Sequence, residues 1–154
     1  MLYEIGEINP SLVSEYIKDF IELMSHKNNR MIWGTLHALD AIALEKPKEI
    51  YSHLTKIIKA ADEGSVITRD HAVNIIIKLC SFKQYFNNCF SLYIEQLKKS
   101  PENQFPTYAE NAVHLINEKN KIIFLKVLSS RLDGIETPTK KRRVEKLIKK
   151  LGAD

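Results

Sequence analysis

Apolar residues recur at spacings of three and four along almost the whole chain, and short polar or proline-bearing breaks divide them into segments. That period marks helices that bury one stripe each. Asn9-Pro10-Ser11 places a capping side chain before a proline suited to a first helical turn. Leu12, Tyr16, Phe20, Leu23 and Met24 then form one stripe, until Lys27-Asn28-Asn29 breaks the pattern. A second helix is predicted over residues 30–45, and Pro47 marks the next junction. A third carries Ile50, Leu54, Ile57, Ile58 and Ala61 and stops at Gly64, a natural C-terminal cap. Ser65 is placed to cap a fourth, over residues 66–81. A fifth, residues 84–99, buries Phe86, Phe90, Tyr93, Ile94 and Leu97 before Ser100-Pro101 ends it. Thr107, with Glu110 three residues on, has the form of a capping box and opens a sixth helix through Ile116. A seventh spans residues 121–132 and ends near Gly134. Thr137-Pro138 opens an eighth, whose Val144, Leu147, Ile148 and Leu151 share one face. The connections are short, so consecutive helices are expected to pack antiparallel as hairpins.

Two segments, Ile75-Ile76-Ile77 and Ile122-Ile123-Phe124, would pass for buried strands on propensity alone. Their place in an internal repeat argues for helix. His37-Ala38-Leu39-Asp40-Ala41-Ile42 aligns with His71-Ala72-Val73-Asn74-Ile75-Ile76 and with Asn111-Ala112-Val113-His114-Leu115-Ile116, at offsets of 34 and then 40 residues. In each copy a small alanine is followed four residues later by isoleucine. Repetition at such a period is the signature of a stack in which each hairpin buries its face only against its neighbours.

The stretch from Arg30 through Trp33, Gly34, His37, Ala38, Leu39, Asp40 and Ile42 to Ala43 resembles the second helix of a HEAT hairpin. The resemblance to the HEAT/armadillo superfamily covers roughly residues 11–132. The arginine typical of such helix starts is absent before the fourth and sixth helices, where Gly64 and Gln104 fall, and the usual mid-helix proline is missing. The resemblance implies an all-α fold, a right-handed α-α superhelix of about eight helices, forming a single domain over residues 1–154. Residues 137–154 would close it as a basic capping helix. A protein of this kind commonly grips other proteins on its concave face.

Composition narrows the classes. With 44% hydrophobic and 27% charged residues the chain reads as globular rather than disordered. No apolar run approaches the roughly 20 residues needed to span a bilayer. Glu4 and Glu7, with Glu15 beyond, leave no basic region at the start, so no secretory signal is read and cytoplasmic residence is the default. Cys80 and Cys89 are too far apart for a redox or zinc pair and sit among apolar neighbours, as small hydrophobes do. The net charge of +4 is not spread along the chain. Residues 137–154 hold seven basic side chains against Glu145 and Asp154, so the rest is nearly neutral.

The second helix is apolar nearly all round and is therefore expected to lie between other helices. Its polar edge is Arg30, Gly34, His37 and Asp40. The matching edges are Thr68, His71, Asn74 and Lys78 on the fourth helix and Tyr108, Asn111, His114 and Glu118 on the sixth. In a HEAT-like stack these edges would line up as a polar stripe, giving Arg30, His37, Asp40, His71, Asn74, Tyr108, Asn111 and His114 as a candidate partner-binding surface. A solvated edge is the plainer account of the same residues. Trp33, the single tryptophan, is expected in the core, or else as an anchor on a surface. Trp33 and Asp40 also invite comparison with the HEAT-like DNA glycosylases, but those would need a basic groove, and the body here is neutral. The histidines do not fall at metal-ligand spacings.

A second candidate is the basic patch Lys140, Lys141, Arg142, Arg143 and Lys146. Capping the stack with a polar outer face accounts for it, and nucleic acid is the alternative. No phosphate loop, nucleophile elbow or telling Cys/His spacing occurs, so no cofactor is implied. The leading expectation is a small interaction module that binds another protein. A nucleic-acid-associated protein is the runner-up, and an enzyme comes last.

Overall fold

The structure, a computed structural model, describes residues 2–152. Those residues form helices joined by turns, with no strand among them. In chain order the helices are α1 Leu2–Ile8, α2 Pro10–Val13, α3 Ile17–Leu23, α4 Asn29–Ala41, α5 Pro47–Ser52 and α6 Leu54–Glu63. They continue as α7 Val66–Leu79, α8 Phe86–Lys99, α9 Phe105–Asn111, α10 Lys121–Leu132 and α11 Pro138–Leu151. Among the described residues no helix is long and apolar enough to cross a membrane. The chain forms two compact units, Met1–Phe86 and Asn87–Asp154.

Unit 1 is built on α4 and α7. Helix α3 packs on α4, α6 packs on α7, and α4 and α7 lie against each other. Helix α1 covers a further side of α4. Contact with α1, α3 and α7 explains why α4 is apolar nearly all round. Leu36, Leu39, Ile42, Ile57, Ala72, Val73, Ile76 and Leu79 are fully buried there. Each large side chain among them contributes about 2 kcal/mol by leaving water.

Local chemistry sets the starts. Asn28 caps α4 by accepting the Arg30 N–H, so the polar break read from sequence is itself a start signal. Ser65 caps α7 through the Thr68 N–H at 3.3 Å. Pro10, Pro47, Pro106 and Pro138 occupy first-turn positions that need no N–H partner. Gly64 is extended, with φ −96° and ψ −169°, and not left-handed. A Cβ at Gly64 would collide with the Ala60 carbonyl and come to 2.8 Å from Thr68 Cγ2. Close approach is the constraint at this position.

The two predicted strand look-alikes lie inside α7 and α10. Ala38, Ala72 and Ala112 are all buried. In unit 1 equivalent residues of the 34-residue repeat touch. His37 stacks on His71 with centroids 4.3 Å apart, and Tyr51 stacks on Tyr85 at 4.1 Å. Asn74 reaches Asp40 at 3.4 Å.

Four expectations change. The first helix is broken by a 3-10 turn at Ser14–Tyr16, and its buried stripe is Val13, Ile17, Phe20, Ile21 and Met24. Leu12 and Tyr16 are exposed, because the tighter turn rotates the face presented to α4. Helix α4 stops at Ala41, and the turn that follows leads to Pro47, which disfavours helical geometry at Lys46. The third helix is split at His53 into α5 and α6. The sixth ends at Asn111, and a 3-10 turn, Val113–Leu115, follows. Buried Asn120 donates to the Leu115 carbonyl and accepts the Asn117 N–H, drawing the chain away from the helix axis.

In unit 2, α11 packs on both α9 and α10. Val144 and Leu147 are buried along α11. Tyr93 Oη donates to the Tyr108 carbonyl at 3.0 Å, and its ring stacks on Phe124. Arg131 donates to the Leu97, Lys98 and Ser100 carbonyls and lies over the Phe105 ring, closing the C-terminus of α8.

Candidate functional site

In unit 1 the sequence-predicted residues come together. Asp40, from the last turn of α4, is 7% exposed. Its Oδ2 meets His71 Nδ1 at 3.0 Å. Lys78 lies 2.8 Å from Oδ1 and also donates to the Asp40 carbonyl at 2.7 Å. Burial alone would raise the Asp40 pKa, but the hydrogen bonds and charges of His71 and Lys78 outweigh it and hold the carboxyl below its ordinary value. The carboxylate fixes the His71 ring from one side, and the His37 ring lies stacked against it. His37 Nε2 in turn meets Glu7 Oε1 at 2.5 Å.

Nothing in the sequence marks Glu7 as a site residue, because its role exists only where α1 docks on α4. That docking is set by a glycine. A Cβ at Gly6 would come to 2.9 Å from Val13 Cγ2 and 3.2 Å from Ala41 Cβ. No sequence period signals this contact across 30 residues.

Beside this array lies an open groove of about 450 Å³. Arg30, Trp33, Gly34 and His37 line it from α4, and Ile67 and His71 from α7. Arg30 and Ile67 belong to the first turns of their helices, so the N-terminal ends of α4 and α7 sit side by side at the groove. Trp33 is half-buried, and its indole N–H is shielded with no acceptor among the described residues. Of the two places the sequence allows it, core or surface, Trp33 takes a half-buried position in the groove wall. Arg30 is exposed; among the described residues only its backbone N–H is engaged. Its guanidinium therefore stands ready at the rim. Val66, Ile67 and Met31 are each more than two-fifths exposed around the same end.

The remaining stripe residues lie in unit 2. Tyr108 was expected on a solvent-facing edge and is 3% exposed, because its helix turns that side toward Tyr93. Asn111 and His114 are exposed. Thr68, placed on the same kind of edge, is buried against Ser65.

The basic patch divides. Arg143 donates to Glu110 Oε1 at 2.9 Å, to Oε2 at 2.5 Å and to Thr107 Oγ1 at 3.0 Å. Glu110 is held below the ordinary carboxylate range by its hydrogen bond to Arg143. The capping box read in Thr107 and Glu110 is thus not formed: both side chains serve α11, and α9 begins at Phe105 instead. Lys140 donates to Asn103 Oδ1, and Lys141 lies 4.0 Å from Asp133. Arg142 and Lys146 are exposed.

Among the described residues no group of three histidine, cysteine or carboxylate side chains gathers as a metal site. Cys80 and Cys89 are buried and are not joined in a disulfide. No family model, curated protein or solved structure matches this chain.

Proposed function

We propose that the protein is a HEAT-like interaction module that binds a segment of a partner protein along the α4–α7 face, centred on the groove. One observation carries the reading. Glu7, Asp40 and Lys78 hold two stacked imidazoles in fixed positions beside an open, partly aromatic groove. Side chains immobilised before a partner arrives lower the entropic cost of binding. A half-exposed tryptophan with apolar neighbours is the kind of anchor that dominates interface energies. The HEAT-like assignment is supported by side-by-side second helices in each unit, and by equivalent residues in contact at the 34-residue offset.

The test is affinity capture from the source cells with wild type and two variants. Gly34→Leu puts a side chain into the groove, and a His37→Ala/His71→Ala double variant removes the imidazoles. A specific partner is expected to be captured by wild type and lost from both variants. Equal capture by all three proteins would sink the proposal.

A second reading places nucleic acid on α11, where Arg142, Lys146, Lys149 and Lys150 are exposed. Under the leading reading, generic duplex or single-stranded nucleic acid shows no mobility shift even at low ionic strength. A shift abolished by replacing those four side chains with glutamine would move the function to α11. Truncation at residue 137 is the wrong test, since Val144 and Leu147 are part of the unit 2 core.

A further inference from the structure

We infer that the groove takes an acidic side chain: the partner segment it binds is an extended peptide bearing aspartate or glutamate next to an aliphatic residue. The inference rests on the reading of the α4–α7 face as the partner-binding surface. Among the described residues, the ionisable side chains that line the groove are Arg30, His37 and His71, and no carboxylate lines it. The nearby carboxylates are already used, Glu7 by His37 and Asp40 by His71 and Lys78.

The adjacent N-terminal ends of α4 and α7 add the positive ends of two helix dipoles to the same space. Arg30 stands exposed at the rim, unlike Arg131 and Arg143, whose guanidinium groups are committed within unit 2. A planar guanidinium without a partner suits a carboxylate bidentately. Trp33 and Ile67 supply the apolar part of the lining, which an aliphatic neighbour in the peptide would cover.

The charge is local. Unit 1 holds ten lysines and arginines against eleven aspartates and glutamates, so it presents no field for a polyanion. A single carboxylate beside an apolar group fits this groove better than a nucleic-acid backbone does.

Trp33 is the single tryptophan, so its fluorescence reports on the groove alone. The probe is a short synthetic peptide of alternating glutamate and leucine, blocked at both ends. It is titrated into the full chain beside an analogue with glutamine in place of glutamate. Saturable change is expected with the acidic peptide, and affinity roughly tenfold weaker for the glutamine analogue, the value of a charge-assisted hydrogen bond. Arg30→Gln is expected to cause the same loss with an unchanged melting temperature, whereas Arg142→Gln on α11 changes nothing.

Equal affinity for the two peptides, no binding of either, or an Arg30→Gln variant that binds as wild type would each overturn the inference. So would displacement of the peptide by inorganic phosphate or a single-stranded oligonucleotide at lower concentration than the peptide itself. The two proposals fail separately. A captured partner lost from Gly34→Leu but kept by Arg30→Gln leaves the binding face standing and removes its acidic preference. Peptide binding as expected, with every partner kept by Gly34→Leu, leaves an anion site and removes the interaction face.

Discussion

In unit 1 the paired helices α4 and α7 meet over a buried carboxylate, whereas in unit 2 the pair α9 and α11 meet over an exposed one. Asp40 is almost enclosed and serves His71, Lys78 and Asn74 at once. Glu110 is well exposed and serves Arg143. Burial makes the first arrangement costly to disturb, because each partner left behind would be a polar group short of water. Solvent makes the second forgiving. The first pairing borders a groove whose lining side chains are held by that same network. A rigid polar array stands where binding is proposed, and surface ion pairing holds α11 on α9.

The largest effect is expected at Asp40. Asp40→Ala is expected to destabilise unit 1 by about 3 kcal/mol, since His71 and Lys78 lose their shared acceptor. Hydrogen-exchange protection should fall mainly in α4 and α7. Protection that falls equally in every helix would contradict a local role.

Unit 2 has its own costly point, at Arg131 rather than on the α9–α11 seam. Arg131→Ala removes three donors from the α8 C-terminus and the cation over Phe105. It is expected to cost about 2 kcal/mol, read by urea unfolding, with Arg131→Lys recovering part of it.

Acid sharpens the contrast. The folded pKa of Asp40 lies below its unfolded value, so its stabilisation is complete above about pH 4. That stabilisation drains away as pH falls through the folded value. Melting temperature followed from pH 7 downward should therefore drop more steeply below about pH 4 in wild type than in Asp40→Asn. Parallel curves would show that the carboxylate is not linked to folding.

The smallest effect belongs to the exposed pair. Arg143→Ala should cost about 0.5 kcal/mol or less, and the loss should shrink further in high salt. A cost equal to that of Asp40→Ala would erase the distinction between the two seams.

Much of the fold is legible from the sequence. Ser65, Pro47 and Pro138 announce helix starts by acting on the nearest backbone groups. The alanines at 38, 72 and 112 mark the repeat because close helix packing needs a small side chain at that place. The Leu12–Tyr16 stripe misleads, since two neighbouring apolar sets compete on that helix and only the packing against α4 chooses Val13 and Ile17. The residues 107 and 110 mislead differently: their spacing fits a capping box, but Arg143 offers both side chains a stronger, charged partner.

The candidate site follows the same division. His37, Asp40, His71 and Asn74 are readable as one polar edge because helical periodicity brings them to one side of their helices. Their chemistry is not readable, for it depends on which groups arrive from elsewhere. Glu7 reaches His37 only because Gly6 lets α1 settle on Ala41. Trp33 lines a groove because the first turns of α4 and α7 stand side by side with an open space between them. Helical content and the places where most helices begin follow from interactions within a few residues, and the repeat from the recurrence of the same pattern 34 and 40 residues on. The tertiary structure alone decided which carboxylate is buried, which arginine is engaged and where the groove opens. Those properties belong to contacts between segments some thirty residues apart, and chain periodicity holds no record of them.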